Sequence, residues 1–245
     1  LLSGCFYTTL KKTLLFYEQN ASFGAKLSYK ENTVMNHLQT AFSAAVPGVI
    51  MNLKKRNIDA FYYENSKAMV EDILTKIPAG SSITWGGSES VTECGLMDAI
   101  QNGSYTLLDR TCAKTPEERR EFYGKAVMAD VFLMSTNAIT YNGELINIDG
   151  NGNRLACLMQ GPKEVFIIVG MNKFVGSIEE GIHRIENIAA PANVQRLQKE
   201  TPCHTLGRCA HCFSAESICS HTVITRRCSQ PGRIKLFIVA ENLGY

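Results

Sequence analysis

Cys203, Cys209, Cys212 and Cys219 fall within seventeen positions of the stretch "TPCHTLGRCAHCFSAESIC", spaced C-x5-C-x2-C-x6-C. Four thiolates are soft ligands that can close a tetrahedral zinc site or hold one iron-sulfur cluster. Zinc sites usually pair their cysteines as C-x2-C units, and only Cys209 and Cys212 have that separation. A cluster accepts wider spacings, while His204, His211 and His221 keep a mixed Cys/His zinc site open. Either centre on four thiolates carries net negative charge, which Arg208, Arg226 and Arg227, close in sequence, can offset. The reading without metal is a set of buried cysteines or a reversible disulfide.

A second chemistry-bearing stretch is "ITWGGSESVTECGLMDAI", a strand, a glycine pair, a serine and a helix. Free backbone N–H groups at a strand-to-helix turn attract anions, and glycine lets a phosphate or carboxylate approach the backbone. Gly86, Gly87 and Ser88 are therefore candidate anion-binding residues, although the same residues also make an ordinary tight connection with a serine N-cap. The turn has neither the dinucleotide fingerprint nor the Walker pattern, so no NAD or ATP site is read here.

The third group is "STNAITYNGELINIDGNGNR", which carries Asn137, Thr140, Glu144, Asn147, Asp149, Asn153 and Arg154. Its "IDGNGNR" lacks the closing glutamate of a calcium loop, and calcium is discounted. Alone, this would read as a solvated hairpin. What draws it toward function is Asn172-Lys173 at the end of the strand "EVFIIV", because open parallel sheets bind ligands beyond the carboxyl ends of their strands. Anion-binding amides, Asn137, Thr140, Asn153, Arg154, Asn172 and Lys173, with Glu144 or Asp149 as carboxylates, suit a small acid or phosphorylated metabolite.

The elements that must position these groups alternate between strand and helix. A helical period runs from Asn36 through Leu38, Phe42, Ala45, Val49 and Leu53, with Pro47 expected to kink it. "DAFYY", "NSKAMVEDILTKI" and "SSITW" form a strand-helix-strand unit, which implies a parallel sheet. Thr115, Pro116 and Glu118 spell a capping box at the start of another helix, and Ser177 with Glu180 a second one. "DVFLMS", "EVFIIVG" and "RIKLFIVA" read as further strands, and Asn142-Gly143 as a hairpin turn. The expected architecture is one α/β domain over residues 34–245, with the cysteine segment 201–221 inserted before the last strand. Residues 1–33, without clean periodicity, read as an N-terminal extension that packs weakly.

Composition narrows the classes. A formal charge of +2 from 25 basic and 23 acidic residues leaves no basic face for nucleic acid. The longest apolar runs are strand-sized, well short of the roughly 20 residues that span a bilayer. The first residues, interrupted by Lys11 and Lys12, do not read as a signal peptide, and nine cysteines, four of them crowded, suit a reducing compartment. The expectation is a cytoplasmic protein with no membrane span.

Several of these stretches together resemble the LUD-domain family, the lactate-utilisation proteins: "WGGSESVTECGL", "LLDR", "STNAITYNGELINIDGNGNRLA", "GPKEVFIIVGMNKFV", "RIENIAAPANVQRL" and the tail "TPCHTLGRCAHC…IC" closing on "VAENLGY". The resemblance covers about Leu53 to Tyr245. It implies the three-layer, parallel-rich fold of the sugar-phosphate isomerase and CoA-transferase superfamily, to which the Asn142-Gly143 turn adds a β-hairpin insertion. It also implies a part in oxidising L-lactate to pyruvate within an iron-sulfur system, and so protein partners for electron transfer. By the same resemblance Gly86, Gly87 and Ser88 hold the anion, with Glu144 or Asp149 as the catalytic carboxylate. Two other classes stay open: a stand-alone isomerase or transferase acting on a phosphorylated sugar or CoA ester with a structural metal site, and a non-catalytic metal-binding scaffold.

Overall fold

In the computed structural model, which describes residues 35–245, Asn36 caps α1 (His37–Lys55) through a full capping box with Gln39. Its buried stripe is Phe42, Val46, Val49 and Leu53, while Leu38, expected on that stripe, is 74% exposed. Leu38 lies in the first turn, ahead of the segment that packs on β1 (Ile58–Tyr63). The chain continues through α2 (Ser66–Lys76), entered by an Asn65 cap, and β2 (Ser82–Trp85). The helix expected after Gly-Gly-Ser is two short ones, α3 (Glu89–Glu93) and α4 (Leu96–Gln101), because Gly95 takes φ +80° between them. Val91, Leu96 and Ile100 all point inward as their spacing implies.

After β3 (Thr106–Leu108), α5 (Pro116–Ala126) begins at the Thr115–Glu118 capping box. Then come β4 (Val131–Met134), the hairpin of β5 (Ala138–Thr140) and β6 (Leu145–Asp149), and α6 (Asn153–Met159). In the hairpin turn it is Gly143, at φ +94°, that supplies the left-handed backbone. Next follow β7 (Glu164–Gly170), a 3-10 turn at Met171–Lys173 and the short β8 (Phe174–Val175).

The periodic stretch 177–197 is one helical path in three pieces: α7 (Ile178–Arg184), a π-helical turn (Ile185–Ala189) and α8 (Ala190–Leu197). Pro191 has no N–H to extend the α ladder, and the wider turn falls directly before it. Ser177 caps α7 by accepting from Glu180 N, but the Glu180 carboxylate reaches past the cap to Gly176 N, so the expected box is half formed. The chain ends with α9 (Pro202–Leu206), the cysteine segment, β9 (His221–Thr225) and β10 (Ile234–Val239).

The six-stranded sheet runs β1-β10-β7-β4-β2-β3, and every pair in it is parallel. Parallel strands need crossovers that cover both faces, which is why the central strands read as unbroken apolar runs. Phe166, Ile168, Phe237 and Val239 face a core completed by Met69, Ile73, Val91, Leu96 and Ile100 from α2 to α4. Their neighbours Val165, Ile167, Leu236 and Ile238 are equally buried on the opposite face. The architecture is a three-layer α/β fold.

The hairpin grows into a second sheet, β8-β5-β6-β9, with β9 antiparallel to β6 from Leu145↔Thr225 to Asp149↔His221. Neither β8 nor β9 is evident in the sequence, because each is held by pairing rather than by an apolar run. The N-terminal extension expected over 1–33 lies outside the described residues.

Candidate anion cavity and cysteine wall

The strands β7, β4, β2 and β3 are neighbours, and the residues that follow their carboxyl ends come together: Lys173, Ser135 to Asn137, Gly86 to Ser88, and Arg110. They line a cavity of about 400 Å³ with Asp149 from the second sheet, Asn153 and Arg154 from the start of α6, and Asn193, Arg196 and Tyr245 from the C-terminal half. This is the place where an open parallel sheet offers room to a ligand.

The glycine pair makes space for arginines. A β-carbon at Gly87 would lie 2.6 Å from Arg110 Nη2 and 3.5 Å from Arg196 Nη2, and one at Gly86 would lie 3.3 Å from Arg154 Cδ. Arg154 is a strut. Its Nη1 donates to Asn147 Oδ1 (2.8 Å), its Nη2 to Asn137 Oδ1 (2.9 Å) and Ile148 O (2.6 Å), and its Nε lies 3.7 Å from Asp149 Oδ2. Arg196 donates to Tyr245 Oη (2.7 Å) and faces Glu89 at 3.4 Å. Arg110 is exposed, and its guanidinium has neither a carboxylate nor a hydrogen-bond partner among the described residues.

Lys173 is 4% exposed, and its Nζ donates to Ser90 Oγ (2.7 Å) and Ser135 Oγ (3.0 Å). Burial, then the charges of Arg184 and Arg154, push its pKa down to about 7 against a weaker opposing pull from Glu93. No carboxylate pairs with it among the described residues. Arg184 is itself buried and donates to the carbonyls of Asn172 (3.0 Å) and Asn137 (2.7 Å). Asp149 uses Oδ1 to accept from Asn151 N and Gly152 N, whereas its Oδ2 and the nearby Asn147 Nδ2 are buried without a hydrogen-bond partner among the described residues. The cavity is therefore rich in cations.

Of the residues expected from sequence, Gly86, Gly87, Ser88, Asn137, Asp149, Asn153, Arg154 and Lys173 meet in this cavity. Three do not line it. Glu144 is ion-paired with Arg56 and accepts from Thr140 Oγ1 in the hairpin turn. Although burial opposes ionisation there, the Thr140 hydroxyl and the Arg56 charge hold the Glu144 carboxyl below its usual range. Asn172 binds the C-terminal strap, donating to Gly244 O (3.1 Å) and accepting from Leu243 N (3.1 Å). Arg110, Arg196, Ser90 and Ser135 escaped the sequence reading. The signal for Arg110 and Ser135 was their place just after strand ends; nothing local marks Arg196 or Ser90.

The cysteine segment forms one wall of the same cavity through Ala215 to Ile218, packed so closely on the 150 turn that a β-carbon at Gly150 would lie 3.1 Å from Ile218 Cα. Glu216 ties this wall down, accepting from Glu200 N (2.7 Å) and pairing with Lys199 (3.2 Å). Burial first, and then the negative charges of Cys209, Cys203, Cys212 and Glu186, push the Cys219 thiol up to about 11. Among the described residues, the ligand atoms that lie within 4.8 Å of one another belong to Glu186, Cys209 and His211, and no trio of the four sulfurs meets that spacing. Sulfurs around zinc stand about 3.5 to 4 Å apart, and around a cubane cluster about 6 to 6.5 Å. Four cysteine sulfurs are a donor set that either centre accepts.

The model of the LUD domain matches residues 46–239, which is most of the chain. The chain belongs to the LUD domain family. Two solved structures are similar at low identity. A DUF162 family protein from Deinococcus radiodurans has a TM-score of 0.47 at 10% identity, over 81% of this chain and 98% of that one. eIF2B delta from Chaetomium thermophilum has a TM-score of 0.32 at 17% identity, over 48% and 50%. No curated protein matches the chain. Among the described residues of this LUD domain, no helix is long and apolar enough to cross a membrane.

Proposed function

We propose that this LUD domain binds a small anionic metabolite, a 2-hydroxy or 2-oxo acid such as lactate or pyruvate, and serves as a subunit of an iron-sulfur system that oxidises L-lactate to pyruvate. One observation carries the reading: the segment bearing Cys203, Cys209, Cys212 and Cys219 is a wall of the cavity that Arg110, Arg154 and Arg196 make cationic. An anion held there would lie beside whatever the thiols hold. Arg110, without a counter-ion among the described residues, and Arg196, set on Gly87, are the groups that receive the carboxylate; Arg154 and Asp149 keep the floor in shape. The Lys173 amine and the two hydroxyls it binds face the oxygen at C2 of the acid.

In this reading the four thiols hold an iron-sulfur cluster, whose chemistry is one-electron transfer to a partner protein. Such a subunit works in the cytoplasm, where thiols stay reduced. A second reading draws support from the cavity's size. About 400 Å³ exceeds what a three-carbon acid needs and lies in the range of larger ligands, so a phosphorylated sugar or CoA ester also fits.

Calorimetry of the full chain with lactate, pyruvate, inorganic phosphate and CoA separates the two. The first reading expects the three-carbon acids to bind and to lose affinity in Arg110→Gln. Binding by phosphate and CoA with none by lactate or pyruvate favours the second.

A further inference from the structure

Lys173 is poorly explained as one more anion-binding cation. It is shielded from solvent, held by two hydroxyls and set among arginines rather than carboxylates, whereas Lys199, which lines the same cavity, is partly exposed and paired with Glu216. The groups that face it are Ser90 and Glu93 from α3, Ser135 after β4, Arg154 from α6 and Arg184 from α7. Only one of these is acidic, and its pull is weaker than the effects of burial and the two arginines. A lysine desolvated beside other cations is the environment in which its amine becomes a nucleophile.

We propose that Lys173 is a covalent-binding residue whose Nζ condenses with the carbonyl carbon of a 2-oxo acid to form an imine. The proposal rests on the carboxylate-binding reading above. Arg110 and Arg196 hold the carboxylate, and the neutral amine adds to C2, forming the C–N bond as the carbonyl π electrons move to oxygen. A proton passes from nitrogen to that oxygen by way of the Ser135 or Ser90 hydroxyl, each within hydrogen-bond reach of Nζ. The nitrogen lone pair then forms the C=N bond as the C–O bond breaks, and the second amine proton passes to the departing hydroxyl by the same serine route, so that water leaves. Amine plus oxo acid give imine plus water, so no oxidant or reductant is consumed. With a pKa near 7, the Lys173 amine is about a thousandfold richer in its neutral form at neutral pH than a lysine at the ordinary 10.5.

The test is reductive trapping. The full chain is incubated with pyruvate and cyanoborohydride at neutral pH, digested and mapped by mass spectrometry, while calorimetry measures pyruvate binding to the same preparation. The expected result is one reduced pyruvate adduct on Lys173, at least about tenfold above any other lysine, suppressed by excess lactate and absent in Lys173→Arg. Pyruvate that binds by calorimetry yet leaves Lys173 unmodified overturns the imine and leaves the carboxylate reading standing. Labelling spread evenly over surface lysines also overturns the imine. Absence of pyruvate binding, with no adduct, brings down both. The wild-type map decides the matter even if the variant fails to fold.

Discussion

Gly87 sits beneath the Arg110 guanidinium, so close that a β-carbon on the glycine would stand 2.6 Å from Nη2. Because Arg110 is exposed and unpaired among the described residues, its guanidinium can swing aside to relieve the clash at little cost. Gly87→Ala should therefore leave the melting temperature almost unchanged while weakening anion binding about tenfold, equivalent to about 1.4 kcal/mol. Calorimetry and a thermal melt on the same sample check both halves.

Lys173 makes stability depend on pH in a definite direction. Its pKa is about 7 in the folded chain and the ordinary 10.5 when unfolded, so between these values the unfolded state binds more protons. The cost of burying the charge is complete below about 7 and is relieved as the pH rises toward 10.5. Denaturant midpoints measured across that window should rise for this contribution, and Lys173→Met should flatten the rise.

Glu144 acts in the hairpin clamp. With Arg56 and Thr140 as partners and no place on the cavity, Glu144→Ala should destabilise the fold by about 2 kcal/mol and leave anion affinity as it was. Its folded pKa is depressed, so the clamp's contribution is full above the usual carboxylate range and fades as the pH falls through the folded value. Urea unfolding at neutral and acid pH measures both effects.

Gly181 lets α7 lie on the second sheet, where a β-carbon would run into Ile146 Cδ1. Gly181→Ala should cost about 1 to 3 kcal/mol by overpacking, seen as a lower denaturant midpoint.

Much of this was legible in the sequence, and the parts that were not share a cause. Apolar runs, capping residues and the Asn-Gly turn marked the elements, because each is a local rule written in a few adjacent residues. Gly86 and Lys173 were found because they follow strands whose carboxyl ends gather at one end of a parallel sheet, and Asp149 and Arg154 because they belong to the polar hairpin stretch that meets them there. Arg196 and Ser90 lie on helices whose faces are set by tertiary packing, so nothing near them in sequence marks them as neighbours of Gly87 and Lys173. The reverse holds for Glu144 and Asn172. Both sit in polar stretches that look functional, yet Glu144 meets Arg56, 88 positions away, and Asn172 meets Leu243, 71 positions away. The cysteine spacing announced a cluster of thiols but not that its loop would close the cavity, since that contact is with the distant turn at Gly150.

The central claim joins the four thiols to the anion cavity, and anaerobic purification followed by iron, sulfide and zinc analysis, with absorption spectra before and after pyruvate, tests it most directly. The account predicts iron and acid-labile sulfide in equal amounts, a visible spectrum that shifts when pyruvate is added, and loss of iron when Cys203, Cys209, Cys212 or Cys219 is replaced by serine. Replacing Cys94 or Cys157, whose thiols burial pushes up to about 11, should leave metal content intact. Zinc without sulfide, or a Cys212→Ser chain that keeps its full iron, would contradict it.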